Sequence, residues 1–347
     1  MWRKNSHNVR IYFYLAALGA GIILLSILIF SKPMPVYEEK IIPVFGTYVR
    51  LNVAGDKVSP DVLIKMAERE LYQIHNKYSA NVENSIVWEL NKNGKVKVDD
   101  EALFLFQSAI NYAIITGGAF DPTIRPLLEL WGFDDANSSE KRVPSQEEIN
   151  NVLSYVDYRF INIDEKNMEV SFLKEGVQVD LGGIAKGYAI DLVIQRIRAI
   201  DPKATGFIDA GGDIGIIGPK FGELAWVIGI RDPFSNDTFK SMDTIYLTDG
   251  TVATSGDYER FFVQNGTKYH HIIDPQTGYP AQGISSVTVI APNATAADTF
   301  ATALFVLGFD NPALEYFTNF GIQAMIVSNN GEIRETSGFN YFREKLK

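Results

Sequence analysis

The residues best suited to chemistry in this chain are a few oxygen donors, paired glycines, one lysine and one histidine. Asp298 and Thr302 sit four apart in Ala296-Ala297-Asp298-Thr299-Phe300-Ala301-Thr302-Ala303-Leu304. On a helix that spacing puts a carboxylate and a hydroxyl on one face, one turn apart. Two hard oxygen donors at that separation suit Mg2+ or Ca2+, which take oxygen ligands and retain water. The pair also reads as an acid favoured by a helix N-terminus and a Thr bonded to its own backbone. A second group lies in Val179-Asp180-Leu181-Gly182-Gly183-Ile184-Ala185-Lys186-Gly187-Tyr188-Ala189-Ile190-Asp191. There a β-leaning run, Gly176 to Val179, ends in an acid, and two glycines and a lysine open a helix that runs to about Ile200. A strand, turn and helix of this kind gather backbone groups, a carboxylate and an ammonium at one helix start, a good place for a phosphorylated ligand. Glycines at such a junction also serve plain tight-turn geometry.

His271 precedes Asp274-Pro275-Gln276-Thr277-Gly278, where Pro and Gly fix a tight loop. A histidine beside a phosphoryl centre acts as general base or stabilises developing charge, whereas a solitary strand histidine is structural. His270 alternates to the opposite strand face, so the two do not act jointly. His75 reads as surface or packing on a helix, and His7 falls on the far side of a membrane segment. Asp209, Gly211-Gly212 and Asp213 form a second acid-glycine turn, and Ala253-Thr254-Ser255-Gly256-Asp257-Tyr258 a third polar turn. Together the three turns and the carboxylate-hydroxyl helix describe a site for a large phosphorylated ligand with a divalent ion.

The elements that must position these groups follow from periodicity and punctuation. A strand is predicted at Tyr48 to Val53 and an amphipathic helix from Ser59, with Pro60 in its first turn. A short helical patch ends near Gly94, and a longer helix runs from Asp99 to Thr116 with Gly117-Gly118 as its stop. Residues 119–126 make a proline-punctuated turn, residues 134–142 a surface loop, and Pro144 to Glu148 open another helix. Strands follow at Phe160 to Ile163 and Met168 to Phe172, then at Thr205 to Ile214 and across Ala225 to Thr254. Asn265-Gly266 marks a hairpin from Phe261 to Tyr269. Strand Ser286 to Ala291, helix Ala294 to Leu307, a helix near Asn311 to Asn319 and strand Ala324 to Ser328 close the chain. Hairpins mixed with irregularly placed helices predict an α+β domain of mixed or antiparallel sheets, not a doubly wound one.

The 347 residues are 46% hydrophobic and 21% charged, values of a chain with a substantial core. A formal charge of -10 argues against a nucleic-acid partner, which needs a basic face. With no cysteine, disulfides, thiolate catalysis, zinc-thiolate sites and a lipidated N-terminal cysteine are all excluded. Ile11 to Phe30 is apolar or small apart from Ser26 and long enough to span a bilayer. Basic residues precede it, which places the N-terminus in the cytoplasm and the remainder outside. The run is longer than a signal-peptide core and lacks a small-x-small cleavage site, so it reads as an uncleaved anchor. The expected organisation is a cytoplasmic tail (1–10), a single transmembrane helix (11–30), a linker (31–40) and one catalytic domain (41–347).

Six ordered blocks then carry a resemblance. They are Gly118 to Thr123, Leu130 to Phe133, Asp180 to Ala189, Ser255 to Arg260, His271 to Pro280, and Ala297-Asp298 through Thr302-Ala303-Leu304. Spread between about Val44 and Gly308, they resemble the ApbE family of FAD:protein FMN transferases. The resemblance implies that FAD is the substrate, that its pyrophosphate is split with Mg2+, and that FMN passes to a Ser or Thr of an acceptor protein with release of AMP. It implies Asp298, Thr302 and the backbone carbonyl of Gly183 as metal ligands. Ala119, Phe120, Asp121, Asp180, Lys186 and Ser79 match flavin-nucleotide positions, and His271 matches the catalytic residue near the pyrophosphate. Ser85 and Asn91 also fit. Asn81 stands where an aromatic is common and Phe45 where a methionine is, departures that bear on flavin-ring stacking.

Many family members are lipoproteins; without cysteine, this chain would be tethered by Ile11 to Phe30 instead. The expected acceptors are extracytoplasmic FMN-binding redox subunits, and the expected place is the cell membrane, with the catalytic domain outside. Two rivals use the same residues: a FAD pyrophosphatase giving FMN and AMP, and a non-catalytic flavin-binding protein.

Overall fold

The structure is a computed structural model that describes residues 34–134, 141–221 and 224–344. The predicted membrane helix at 11–30 and six residues of the predicted surface loop lie outside the described residues. Among the described residues no helix is long and apolar enough to cross a membrane. Tyr37–Lys347 forms one compact unit, and the description below concerns it.

Its first half holds strands β1 (Glu38–Val44) and β2 (Thr47–Ala54), helices α1 (Pro60–Tyr78) and α2 (Ile86–Asn93), strand β3 (Lys95–Lys97) and helix α3 (Asp100–Ile115). Helices α4 (Arg125–Trp131) and α5 (Gln146–Leu153), strands β4 (Ile161–Asp164) and β5 (Glu169–Phe172), and helix α6 (Gly182–Ile200) follow. Strands β6 (Thr205–Ala210), β7 (Asp213–Gly218), β8 (Trp226–Arg231), β9 (Ser241–Leu247) and β10 (Thr251–Gly256) come next. The chain ends with β11 (Phe261–Gln264), β12 (Thr267–His270), β13 (Ile284–Ala291), α7 (Ala294–Leu307), α8 (Ala313–Tyr316), β14 (Gln323–Ser328) and β15 (Ile333–Glu335).

Eight strands form the central sheet in the order β1-β2-β6-β7-β10-β13-β14-β15, and every neighbouring pair is antiparallel. Both faces are covered, which explains why β13 is buried at every position. Its Val287, Val289 and Ala291 join the core beneath α7, while Ile290 joins the core beneath β8 and β9. The period of two along a strand thus sorts one segment into two cores. Helix α6 lies close on the sheet at Gly215, where an added Cβ would meet Ile190 and Ile194 at 2.6 Å. A separate cluster of Leu127, Trp131, Phe133, Ile149 and Ile273 braces the segment that carries His271. Trp131 Nε1 donates to Gly278 O at 2.9 Å there.

Local chemistry sets most boundaries. Asp99 caps α3 through Ala102 N at 2.9 Å, Asn293 caps α7 through Ala296 N at 2.8 Å, and Ser145 with Glu148 makes a capping box at α5. Asn265 and Gly266 take φ of 53° and 79° at the predicted hairpin turn. Two expectations are corrected. The linker assigned to 31–40 ends earlier, because β1 begins at Glu38 and pairs with β2 from Glu38↔Val53 onward. Gly176 to Val179 is not a strand; its backbone is held by a side chain. Asn91 Oδ1 accepts from Val179 N at 2.7 Å, and Asn91 Nδ2 donates to Val179 O at 2.8 Å.

That amide does for Val179 what a neighbouring strand would do. Val179 is fully buried, so Asn91→Ala would strand a donor and an acceptor away from water. The variant is expected to lose about 2–3 kcal/mol of stability, read as a lower denaturant midpoint with an unchanged slope.

Candidate active site

Helices α6 and α7 run antiparallel and touch along a stripe of positions four apart on α6. At Gly183 an added Cβ would lie 3.2 Å from Phe120 Cε2 and 3.9 Å from Thr302 Oγ1. One turn on, Gly187 N donates to Asp298 Oδ2 at 3.2 Å. A Cβ at Gly187 would sit 2.4 Å from Ala294 O, so no larger residue fits without parting the helices. Gly183, Asp298 and Thr302, the three positions that the resemblance implied as metal ligands, therefore lie near one another where α6 faces α7.

These groups offer a carboxylate, a hydroxyl and a peptide carbonyl, all hard oxygens. Thr299 Oγ1 donates to Thr295 O at 2.8 Å and stands 3.3 Å from Gly183 O. A hydroxyl has one proton, and the shorter bond claims it, which leaves Gly183 O with spare acceptor capacity. Asp298 is only 6% exposed. Among the described residues no group of three His, Cys, Asp or Glu could hold a metal by itself. The donor set thus fits a hard cation such as Mg2+, which takes oxygen ligands and retains water.

Lys186 links the turns. Its Nζ pairs with Asp213 Oδ2 and lies 3.5 Å from Asp298 Oδ1. Asp213 Oδ1 also accepts from Thr254 N at 3.4 Å, so the second and third polar turns converge on this lysine. Asp209 does not join them. Asp213 pairs with Ala210 in the β6–β7 ladder, so Asp209 points to the other face, where Arg50 Nη2 lies 3.2 Å away.

His271 follows β12. Its backbone N donates to Arg260 O at 3.0 Å, and its Nδ1 lies 3.3 Å from the same oxygen. A carbonyl only accepts, so Nδ1 carries the proton and Nε2 the lone pair. Burial pushes the His271 pKa down to about 3, helped by the charge of Arg260, by His270 and by Lys186. His270 instead faces the core: its Nε2 bonds Ala281 O at 2.8 Å and its ring packs on Phe305. His75 lies edge-on to Phe45, a packing role.

The remaining matched positions are held by local hydrogen bonds and packing. Asp180 Oδ1 accepts from Gly182 N at 2.7 Å and its Oδ2 faces Arg125 Nη1 at 3.3 Å. Asp121 is tied down by Thr123 N, Thr123 Oγ1 and Tyr158 N at 2.8, 2.6 and 2.9 Å; burial raises its pKa against those bonds. Ala119 and Phe120 are buried, with Phe120 wedged on Gly183. Ser79 closes α1, its O accepting from Ser85 Oγ at 2.6 Å and its Oγ from Asn81 N at 3.3 Å.

The roles of Arg125 and Asp191 escaped notice in the sequence. Arg125 is 6% exposed and reaches Glu129, Asp180, Asn81 and Asp134; a lone arginine in an apolar, proline-rich stretch was its signal. Asn81 takes one of those bonds at 2.8 Å and gives another to Asp134 O, so it serves as a polar tie where a stacking ring was expected. Asp191 binds the start of α7, and nothing in its sequence context marks that contact.

Comparisons with known proteins place the chain among relatives. A FAD:protein FMN transferase of Treponema pallidum (strain Nichols) is 33% identical over 318 residues, 85% of either chain. One from Haemophilus influenzae is 32% identical over 279 residues, covering 78% of this chain and 80% of the relative. The crystal structure of the ApbE protein from Thermotoga maritima matches with a TM-score of 0.85 at 46% identity, over 89% of this chain and 100% of that one. The flavin transferase ApbE from Vibrio cholerae matches with a TM-score of 0.76 at 27% identity, over 88% and 100% of the two chains. With residues 45–332 also matched by the model of the ApbE family, the chain belongs to that family.

Proposed function

We propose that the chain is a FAD:protein FMN transferase that uses Mg2+ to split the FAD pyrophosphate and joins FMN to a Ser or Thr of an acceptor protein. The observation that carries this reading is the meeting of Asp298, Thr302, Gly183 and Lys186 where α6 faces α7. Phosphoryl transfer asks an enzyme for positioning and charge neutralisation more than for covalent help.

Asp298, Thr302 and the Gly183 carbonyl would hold the metal, which supplies Lewis-acid neutralisation of the pyrophosphate. The Lys186 ammonium, aimed by buried Asp213, neutralises further phosphate charge. His271 Nε2 takes the proton of the acceptor hydroxyl as its oxygen bonds to the FMN phosphorus. The phosphorus–oxygen bond to AMP breaks, and AMP leaves with the electron pair.

We also propose that Ile11 to Phe30 tethers the chain in the cell membrane with this domain outside, near FMN-binding redox subunits. Incubation of the full-length protein with FAD, Mg2+ and such a subunit tests the transfer. Covalent yellow fluorescence on the subunit, with one AMP per flavin, is expected. Free FMN with no labelled subunit would make the chain a pyrophosphatase instead, and intact FAD would leave only a binding protein.

A further inference from the structure

The three metal donors come from two helices, so the site exists only while α7 keeps its register against α6. Apolar contact between helices is non-directional and tolerates sliding. Directional contacts hold the far end. Asp191 Oδ1 accepts from Ala294 N at 2.7 Å. Its Oδ2 accepts from Thr295 N at 2.9 Å and from Thr295 Oγ1 at 2.5 Å. With Asn293 taking Ala296 N, the first three amides of α7 are all satisfied, two of them by a side chain from another helix.

Asp191 also completes the stripe begun by Gly183 and Gly187. It lies eight residues, or about 12 Å, along α6 from Gly183. Across the interface, Thr295, Asp298 and Thr302 share one face of α7 at spacings of three and four. Asp191 grips that face at Thr295, and the metal donors occupy its next two turns.

We propose that Asp191 is a positioning residue for the cation site, fixing the rotation and axial placement of α7 so that Asp298 and Thr302 meet the Gly183 carbonyl. The inference rests on the metal reading given under Proposed function. It touches neither the metal nor the substrate. In Asp191→Asn one oxygen becomes an amide that cannot accept from Thr295 or Ala294, so the bidentate grip is lost.

The test is Mn2+ binding to the full-length protein with FAD present, read as the electron paramagnetic signal of free Mn2+. Asp191→Asn is expected to weaken Mn2+ about 10- to 100-fold, the range for outer partners of metal ligands. Its FAD affinity in EDTA, from flavin fluorescence, should equal that of the wild type. Asp201→Asn is the control. Asp201, at the other end of α6, accepts from Asp56, Lys57 and Val58 amides at 2.8, 2.9 and 3.0 Å. Its loss lowers stability without touching α7, so Mn2+ affinity should hold. Wild-type Mn2+ affinity in Asp191→Asn, or equal weakening by Asp201→Asn, would overturn the inference. Should Asp191→Asn show no cooperative melting, Thr295→Val, which removes only the hydroxyl donor, decides in its place: weaker Mn2+ supports the clamp and unchanged Mn2+ overturns it. If the wild type itself binds no Mn2+, the metal reading falls and the inference with it.

Discussion

Asp298→Asn is expected to slow AMP release from FAD by about 10³-fold, the scale for losing one preorganised electrostatic contact, while the fold persists. Asn keeps an oxygen to accept from Gly187 N, the 3.2 Å bond that ties α7 to α6. It removes the carboxylate charge that faces Lys186 and would face the cation. Lys186 retains Asp213 as a partner, so no ammonium is left unpaired. The melting temperature should therefore move by no more than about 4 °C. Asp298→Ala differs in an instructive way, because it also removes the Gly187 N contact that ties the two helices, and the lost hydrogen bond adds a stability loss of about 0.5–1.5 kcal/mol. Initial rates across a Mg2+ titration separate the cases. A variant with wild-type turnover and wild-type Mg2+ dependence would remove Asp298 from the metal site and end the proposed chemistry.

Much of this was legible in the sequence because the signals were local. Helix α7 announces itself through Asn293 before it and Gly308 after it, and Asp298 and Thr302 follow once the helix is drawn. Asn265-Gly266 fixes the β11–β12 hairpin for similar reasons, since left-handed backbone selects those residues. Strand β1 was obscured because it is a sheet edge: only Ile42 and Val44 among its residues are buried, so Glu38 to Lys40 looks like a charged linker. Val177 to Val179 was misread for the opposite reason. Its apolar, β-branched residues are buried, but the partner that satisfies Val179 is the amide of Asn91, 88 residues away. The roles of Arg125 and Asp191 are likewise tertiary. Arg125 has Glu129 one turn on in its own helix, but Asp180, Asn81 and Asp134 and the partners of Asp191 lie in other segments, and no local spacing encodes those.

His271→Gln is expected to lower transfer to the acceptor by about 10² to 10⁴-fold, the range for removing a general base. FAD binding should change little, because the proposed proton transfer involves the acceptor hydroxyl and not the nucleotide. The pH dependence gives a sharper check. An ordinary histidine is half protonated near pH 6.5, and a base of that kind loses activity as the pH falls through that value. Burial and the neighbouring Arg260 charge hold His271 at about 3, so its Nε2 lone pair persists throughout mildly acidic solution. Transfer by the wild type should thus show no His271 limb between pH 5 and 7. Stability carries the opposite imprint. Between about pH 3 and 6.5 the unfolded chain binds a proton at this site and the folded chain does not. The linkage slope is then positive: the neutral ring's contribution is complete above pH 6.5 and shrinks on acidification. An activity midpoint near 6.5 that vanishes in His271→Gln would show a solvent-exposed, freely titrating imidazole. It would also remove the Nδ1 contact to Arg260 O as the bond that fixes its tautomer.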